Sequence, residues 1–159
     1  MKKLLLSTLL ALPILALPIL AAGADAAPKK KVVRAKSAAK VKWHMSMASG
    51  LAEAKKTGKP IFVDFYTTWC GPCKYLDDVT YKDAKFITES KKWVMVKLDA
   101  EKDPNVKLAE KYKIEGYPSM LFLKPNGRES SRVVGGYPAN LLVPKMKKAL
   151  DAVGGGQRI

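Results

Sequence analysis

The only two cysteines of the chain, Cys70 and Cys73, stand in the run Trp69-Cys70-Gly71-Pro72-Cys73-Lys74. Two thiols separated by two residues close a disulfide within one turn, so the pair can alternate between dithiol and disulfide. At the start of a helix such a pair gains a second property. The unsatisfied N–H groups and the dipole there favour a thiolate, which lowers the pKa of the nearer sulfur and makes it a nucleophile. Cys70 comes first, nearest that helix end, and is predicted to be both the more exposed sulfur and the attacking thiolate. Cys73 is predicted to lie deeper and to attack the mixed disulfide that Cys70 forms. Pro72 removes a backbone donor and stiffens the turn between them. A bridge this short constrains the unfolded chain little, and no further cysteine exists to cross-link distant segments. The pair therefore reads as reactive, not structural.

An acid in an apolar run is the next chemical signal. Asp64 interrupts Ile61-Phe62-Val63-Asp64-Phe65-Tyr66, and a buried carboxylate is costly unless it is needed. Burial raises its pKa, which makes Asp64 a candidate proton acceptor for Cys73. Lys97 alternates with apolar residues in Trp93-Val94-Met95-Val96-Lys97-Leu98-Asp99; it reads either as the holder of that carboxylate or as a solvent-facing strand residue. Trp69 is expected to shield the disulfide and offer a flat contact surface. Competing chemistries lack their residues. His44 is the only histidine, and two cysteines with one distant histidine fall short of a zinc site. Lys74 stands where haem attachment requires histidine, and no glycine-rich loop precedes a helix. No metal or other cofactor is expected beyond the Cys70–Cys73 couple, and nucleic acid is not an expected partner.

The elements that must position these groups alternate between helical and strand patterns. A helix is predicted over 45–57, with Ser46 as its N-cap and Gly58-Lys59-Pro60 as its stop. A buried strand follows over 61–66, then a helix over 71–80 that opens on the cysteine pair. A short helix over 83–90, a strand over 93–99 and a helix over 105–112 come next, with Pro104 at the last helix's start. Strands over 119–123 and 131–134 flank Pro125-Asn126-Gly127, whose Asn-Gly is a hairpin signal. An amphipathic helix over 140–153 ends the order. Strand–helix–strand, then a hairpin, then a helix implies an α/β fold: a central mixed sheet flanked by helices on both faces.

The N-terminal part is of a different kind. Lys2 and Lys3 precede an apolar run over 4–20, and Ala22-Gly23-Ala24 and Ala24-Asp25-Ala26 both satisfy the small-x-small cleavage rule. Residues 1–24 are read as a signal peptide, with a retained membrane anchor over 4–22 as the alternative. Residues 25–42 form a basic Ala/Lys-rich linker, 43–153 the folded domain and 154–159 a fraying tail. Of the net charge of +15, residues 1–42 carry +8 (nine Lys/Arg against one Asp), leaving +7 for 43–159. The basic linker reads as a solvated tether or as a weak attraction to an anionic membrane surface.

Over roughly 43–152 the chain resembles the thioredoxin family. Trp69-Cys70-Gly71-Pro72-Cys73-Lys74 matches its active site residue for residue, and the element order matches the thioredoxin fold. The resemblance implies that Asp64 is the buried aspartate beneath the active site and that Lys97 pairs with it. It also implies that Pro118 in Gly116-Tyr117-Pro118-Ser119 is a cis proline facing the disulfide, and that Gly135-Gly136 holds the glycine, taken as Gly135, that closes the substrate groove. Trp69, Gly71, Pro72, Tyr117 and Gly135 would then contact a client, with Tyr117 departing from the aliphatic residue common before that proline. The periplasmic C-terminal domain of DsbD-type electron transporters is a near relative. By this resemblance the protein is an exported, monomeric thiol–disulfide oxidoreductase of the periplasm. It would reduce disulfides in exported proteins and be resupplied by a membrane donor of DsbD type. The alternatives are a client-binding module without catalysis, or a net oxidant or isomerase.

Overall fold

A computed structural model describes residues 40–154. The signal peptide or anchor, nearly all of the basic linker and the last five residues of the chain lie outside those described. The elements run β1 (Trp43–His44), α1 (Met47–Thr57), β2 (Ile61–Tyr66), α2 (Gly71–Asp78), a single 3₁₀ turn (Thr80–Lys82), α3 (Ala84–Ser90), β3 (Val94–Asp99), α4 (Asn105–Lys111), β4 (Ser119–Leu123), β5 (Glu129–Val134) and α5 (Ala139–Gly154). Five strands form one sheet in the order β1-β3-β2-β4-β5. β1 and β2 each pair with β3 in parallel, while β4 runs antiparallel to both β2 and β5.

Side chains alternate across this sheet, so each central strand supplies two cores. Phe62, Met95, Met120 and Phe122 face α2, α3 and α5, where Leu76, Phe86, Leu142 and Met146 meet them. Ile61, Val63, Phe65, Val96 and Leu121 face α1 and α4. Covering on both faces is why β2 and β3 read as continuous apolar runs and not as alternating ones. The same alternation puts Asp64 and Lys97, register partners across β2 and β3, on the face that carries α2.

Local signals place the ends. The Ser46 hydroxyl accepts the Ser49 N–H at 3.2 Å and caps α1 as predicted. Asp83 accepts the Lys85 N–H at 2.7 Å and caps α3. α2 stops at Asp78, two residues before the predicted end, because the chain tightens into the 3₁₀ turn that seats Tyr81 in the core. Pro104 occupies the N-cap of α4 and not its first helical position. β5 begins at Glu129, two residues earlier than predicted, past a bulge opposite Leu123. β1 escapes the sequence reading altogether: two residues are too few for a periodic signal.

α1 lies close against β3 at Gly50, where a Cβ would collide with Val96 Cγ2. Val96 is fully buried, so it has no room to yield. Gly50→Ala gains helix propensity of up to ~1 kcal/mol but overpacks this contact at a cost of about 1–3 kcal/mol. Urea unfolding is expected to show net destabilisation. In Val96→Ala the same substitution should cost much less; a Gly50→Ala protein more stable than the wild type would contradict the close approach.

Candidate active site

Cys70 is the N-cap of α2, and its Sγ accepts the Cys73 N–H at 3.2 Å. Pro72 falls in the first turn, where a missing N–H costs no helical bond. The two sulfurs are joined in a disulfide with Cα atoms 5.3 Å apart. One expectation fails here. Cys70 is no more exposed than Cys73, each retaining 3 % of its surface. The reason is the cap itself: Sγ of Cys70 is turned back onto the first turn by its bond to Cys73 and by the hydrogen bond it accepts.

Asp64 is buried, as its apolar flanks predicted. The Tyr81 hydroxyl donates to Oδ2 at 2.9 Å, and Oδ1 has no partner. Burial raises the Asp64 carboxyl to about 7, against the opposing charge of Lys97 and the Tyr81 hydrogen bond. Burial likewise holds the Tyr81 phenol well above its usual range, with the Asp64 charge adding to the effect. Tyr81 therefore remains a donor throughout the range in which Asp64 titrates.

Lys97 does not hydrogen-bond Asp64. Its ammonium pairs with Asp77 Oδ1 on α2 and lies over the Tyr66 ring, 4.6 Å from the centroid. Asp77 is nearer solvent, its side chain 43 % exposed, so an ion pair there carries a smaller desolvation cost than one at Asp64. Lys97 thus acts on the buried carboxyl through space. Tyr81 and Asp77, the groups that complete this network, were not legible as site residues, since each belongs to an amphipathic stretch like many others.

The remaining walls come from loops. The Tyr117–Pro118 peptide is cis, as the resemblance implied, and Pro118 is buried. The Pro118 carbonyl accepts the Gly135 N–H at 2.8 Å, and Gly135 holds a φ of +104° that favours glycine. Gly136 makes the contact with the cysteine motif: a Cβ there would stand 3.1 Å from the Pro72 carbonyl oxygen. Gly71 and Pro72 are exposed at the helix start. Trp69 is 65 % exposed, its indole N–H donating to Glu101 Oε1 at 2.8 Å and its ring meeting Tyr117 edge-on at 6.1 Å. Glu101 carries no signal in the sequence alone.

A mixed sheet covered on both faces, with a helix-capping cysteine pair that follows the strand carrying a buried acid, defines the thioredoxin class of redox domain. The sequence model of the thioredoxin family matches residues 43–148, and the chain belongs to that family. It is 37 % identical over 97 residues to the chloroplastic thioredoxin Y of Oryza sativa subsp. japonica, covering 61 % of this chain and 55 % of that protein. It is 30 % identical over 97 residues to the thiol:disulfide interchange protein DsbD of Campylobacter jejuni, covering 60 % of this chain and 17 % of DsbD. A solved DsbH oxidoreductase superposes with a TM-score of 0.61 at 25 % identity, over 82 % of this chain and 96 % of its own. The chain spans about half the length of the first curated relatives it matches.

The raised Asp64 carboxyl has a stability consequence. Its pKa moves from 3.8 to about 7 on folding, so as pH rises the unfolded state releases this proton first. Native stability therefore falls between about pH 4 and pH 7 and levels off above. Asp64→Asn removes that dependence. It should match the wild type near pH 4 and exceed it by about 4 kcal/mol above pH 7.5. Denaturant melts of both proteins across pH check this; a stability difference that does not change with pH would contradict it.

Proposed function

We propose that this protein is an exported thiol–disulfide oxidoreductase whose net work is to reduce disulfides in other exported proteins. The observation that carries the reading is the Cys70 cap. Its sulfur accepts a backbone N–H at the start of α2, an arrangement that stabilises the same sulfur as a thiolate once the disulfide opens. The Cys70 thiolate attacks one sulfur of a client disulfide, forming a Cys70–client bond and expelling the other client sulfur as a thiolate. Asp64 takes the Cys73 proton, and the Cys73 thiolate attacks Sγ of Cys70. That step closes Cys70–Cys73 and frees the second client thiolate. Two electrons pass from the dithiol to the client, whose thiolates take up protons.

Client contact falls to the groups around the sulfurs. Trp69 offers an exposed ring with Tyr117 edge-on beside it, and the Gly135–Gly136 segment packs against Pro72. Gly-Pro between the cysteines is the dipeptide of reducing thioredoxins, which supports reduction over oxidation. Returning the disulfide to the dithiol needs an external dithiol donor, and the 30 % identity to DsbD supports a membrane donor of that type. The apolar run over 4–20 with its small-residue sites supports cleavage near Asp25 or Ala27 and release into the periplasm. No helix among the described residues is long and apolar enough to cross a membrane.

Equilibration with glutathione tests the direction. A reduction potential near about −270 mV is expected, whereas one near about −120 mV would make the protein an oxidant. Cys70→Ser is expected to abolish attack, and Cys73→Ser to accumulate long-lived mixed disulfides with clients on non-reducing gels. Adducts on Cys70→Ser and none on Cys73→Ser would reverse the roles, and no exchange by the wild type would leave a client-binding module.

A further inference from the structure

The three parallel strands β1, β2 and β3 begin at one pole of the sheet and end at the other, where the cysteine pair follows β2. At the starting pole a lysine lies within three residues of each strand's start: Lys42 before β1, Lys59 before β2, Lys91 before β3, with Lys40 further upstream. The topology gathers all four around one cavity of about 280 Å³, room for roughly nine waters at about 30 Å³ each. His44 and Trp93 contribute to its walls, and Glu53 is the single acid there.

Like charges brought together in this way repel unless something neutralises them. Among the described residues the ion pairs involve none of these four lysines. Lys59 is held in place instead, its ammonium donating to the Lys91 carbonyl at 2.9 Å. Trp93, 4 % exposed, has an indole N–H with no hydrogen-bond partner. Four ammonium groups and one carboxylate leave a surplus of three positive charges around a polar cavity.

We propose that this pole is a binding site for a phosphate group, carried either by a phospholipid headgroup or by a soluble phosphorylated molecule. A phosphate monoester offers close to two negative charges and a phospholipid's phosphodiester one, each with acceptor oxygens for lysines arranged as point charges. The site is separate from the disulfide. β2 is six residues long, and at about 3.3 Å per residue it holds the two poles roughly 20 Å apart. A phosphate-bearing surface engaged here would leave Cys70 facing away from it, open to clients. Lys40 also continues the basic stretch that begins at Lys29, so a headgroup bound in the cavity adds a fixed contact to a diffuse attraction.

The test uses the protein as recovered from expression, labelled with ¹⁵N. Its pocket variant is Lys42→Gln/Lys59→Gln/Lys91→Gln, and its equal-charge control is Lys56→Gln/Lys107→Gln/Lys148→Gln, at exposed helix positions. Inorganic phosphate is expected to shift the Trp93 indole resonance saturably in the wild type and control, with affinity about 10-fold or more weaker in the pocket variant. Equal shifts from chloride at matched ionic strength, or an unchanged response in the pocket variant, would overturn the proposal. Sedimentation with phosphatidylglycerol vesicles separates the sources. Loss of vesicle binding in the pocket variant but not the control assigns a lipid headgroup. Equal vesicle binding by both variants, with phosphate binding lost only in the pocket variant, assigns a soluble ligand. Disulfide reduction should be unchanged in both variants, which keeps this site distinct from the cysteine pair.

Discussion

The Asp64 carboxyl stands on the face of β2 that α2, α3 and α5 cover, with a tyrosine hydroxyl on one oxygen and nothing on the other. An ionised carboxylate in such a place costs several kcal/mol unless a cation is bonded to it. The nearest cation, Lys97, is bonded elsewhere, to the half-exposed Asp77. The carboxyl consequently sits at a pKa of about 7, the range in which a proton acceptor is most useful at neutral pH. Moving Lys97 onto Asp64 would relieve the desolvation and lower that pKa, and with it the base strength. The fold therefore keeps a buried group whose ionisation is disfavoured, with its charge partner bonded to Asp77 instead.

The sulfurs depend on the same sheet in another way. β2 delivers the chain directly into the cysteine motif, so the position of Asp64 and the start of α2 are set by one continuous segment. The opposite wall is built by a second segment, with the Pro118 carbonyl tied to the Gly135 N–H and Gly136 against Pro72. The third, after β3, anchors Trp69 through Glu101. Segments distant in sequence converge because β3, β2 and β4 are neighbours in the sheet. The starts of the parallel strands, by the same geometry, collect the lysines at the far pole.

Much of this was legible in the residues. The cysteine spacing named the chemistry, and the unbroken apolar flanks of Asp64 placed it in the interior. Turn and cap signals such as Ser46 and Asn126-Gly127 set the element order. What was not legible depends on tertiary contact. Tyr81 reaches Asp64 only because a 3₁₀ turn interrupts the helical pattern after Asp78. Whether Lys97 meets Asp64 or Asp77 is settled by relative desolvation, which no strand pattern encodes. The equal burial of Cys70 and Cys73 follows from a sulfur turned inward as a helix cap, whereas chain position alone implied an exposed Cys70.

The central claim is that Asp64 removes the proton from Cys73 when the mixed disulfide is resolved. Rapid-quench trapping of the reduced protein with a model disulfide times the two steps separately at several pH values. In the wild type the resolution rate should rise with pH through about 7. Asp64→Asn should leave the first attack nearly unchanged and slow resolution by about 10- to 100-fold, with the inflection near 7 gone. Unchanged resolution in Asp64→Asn, or a loss confined to the first attack, would contradict the account.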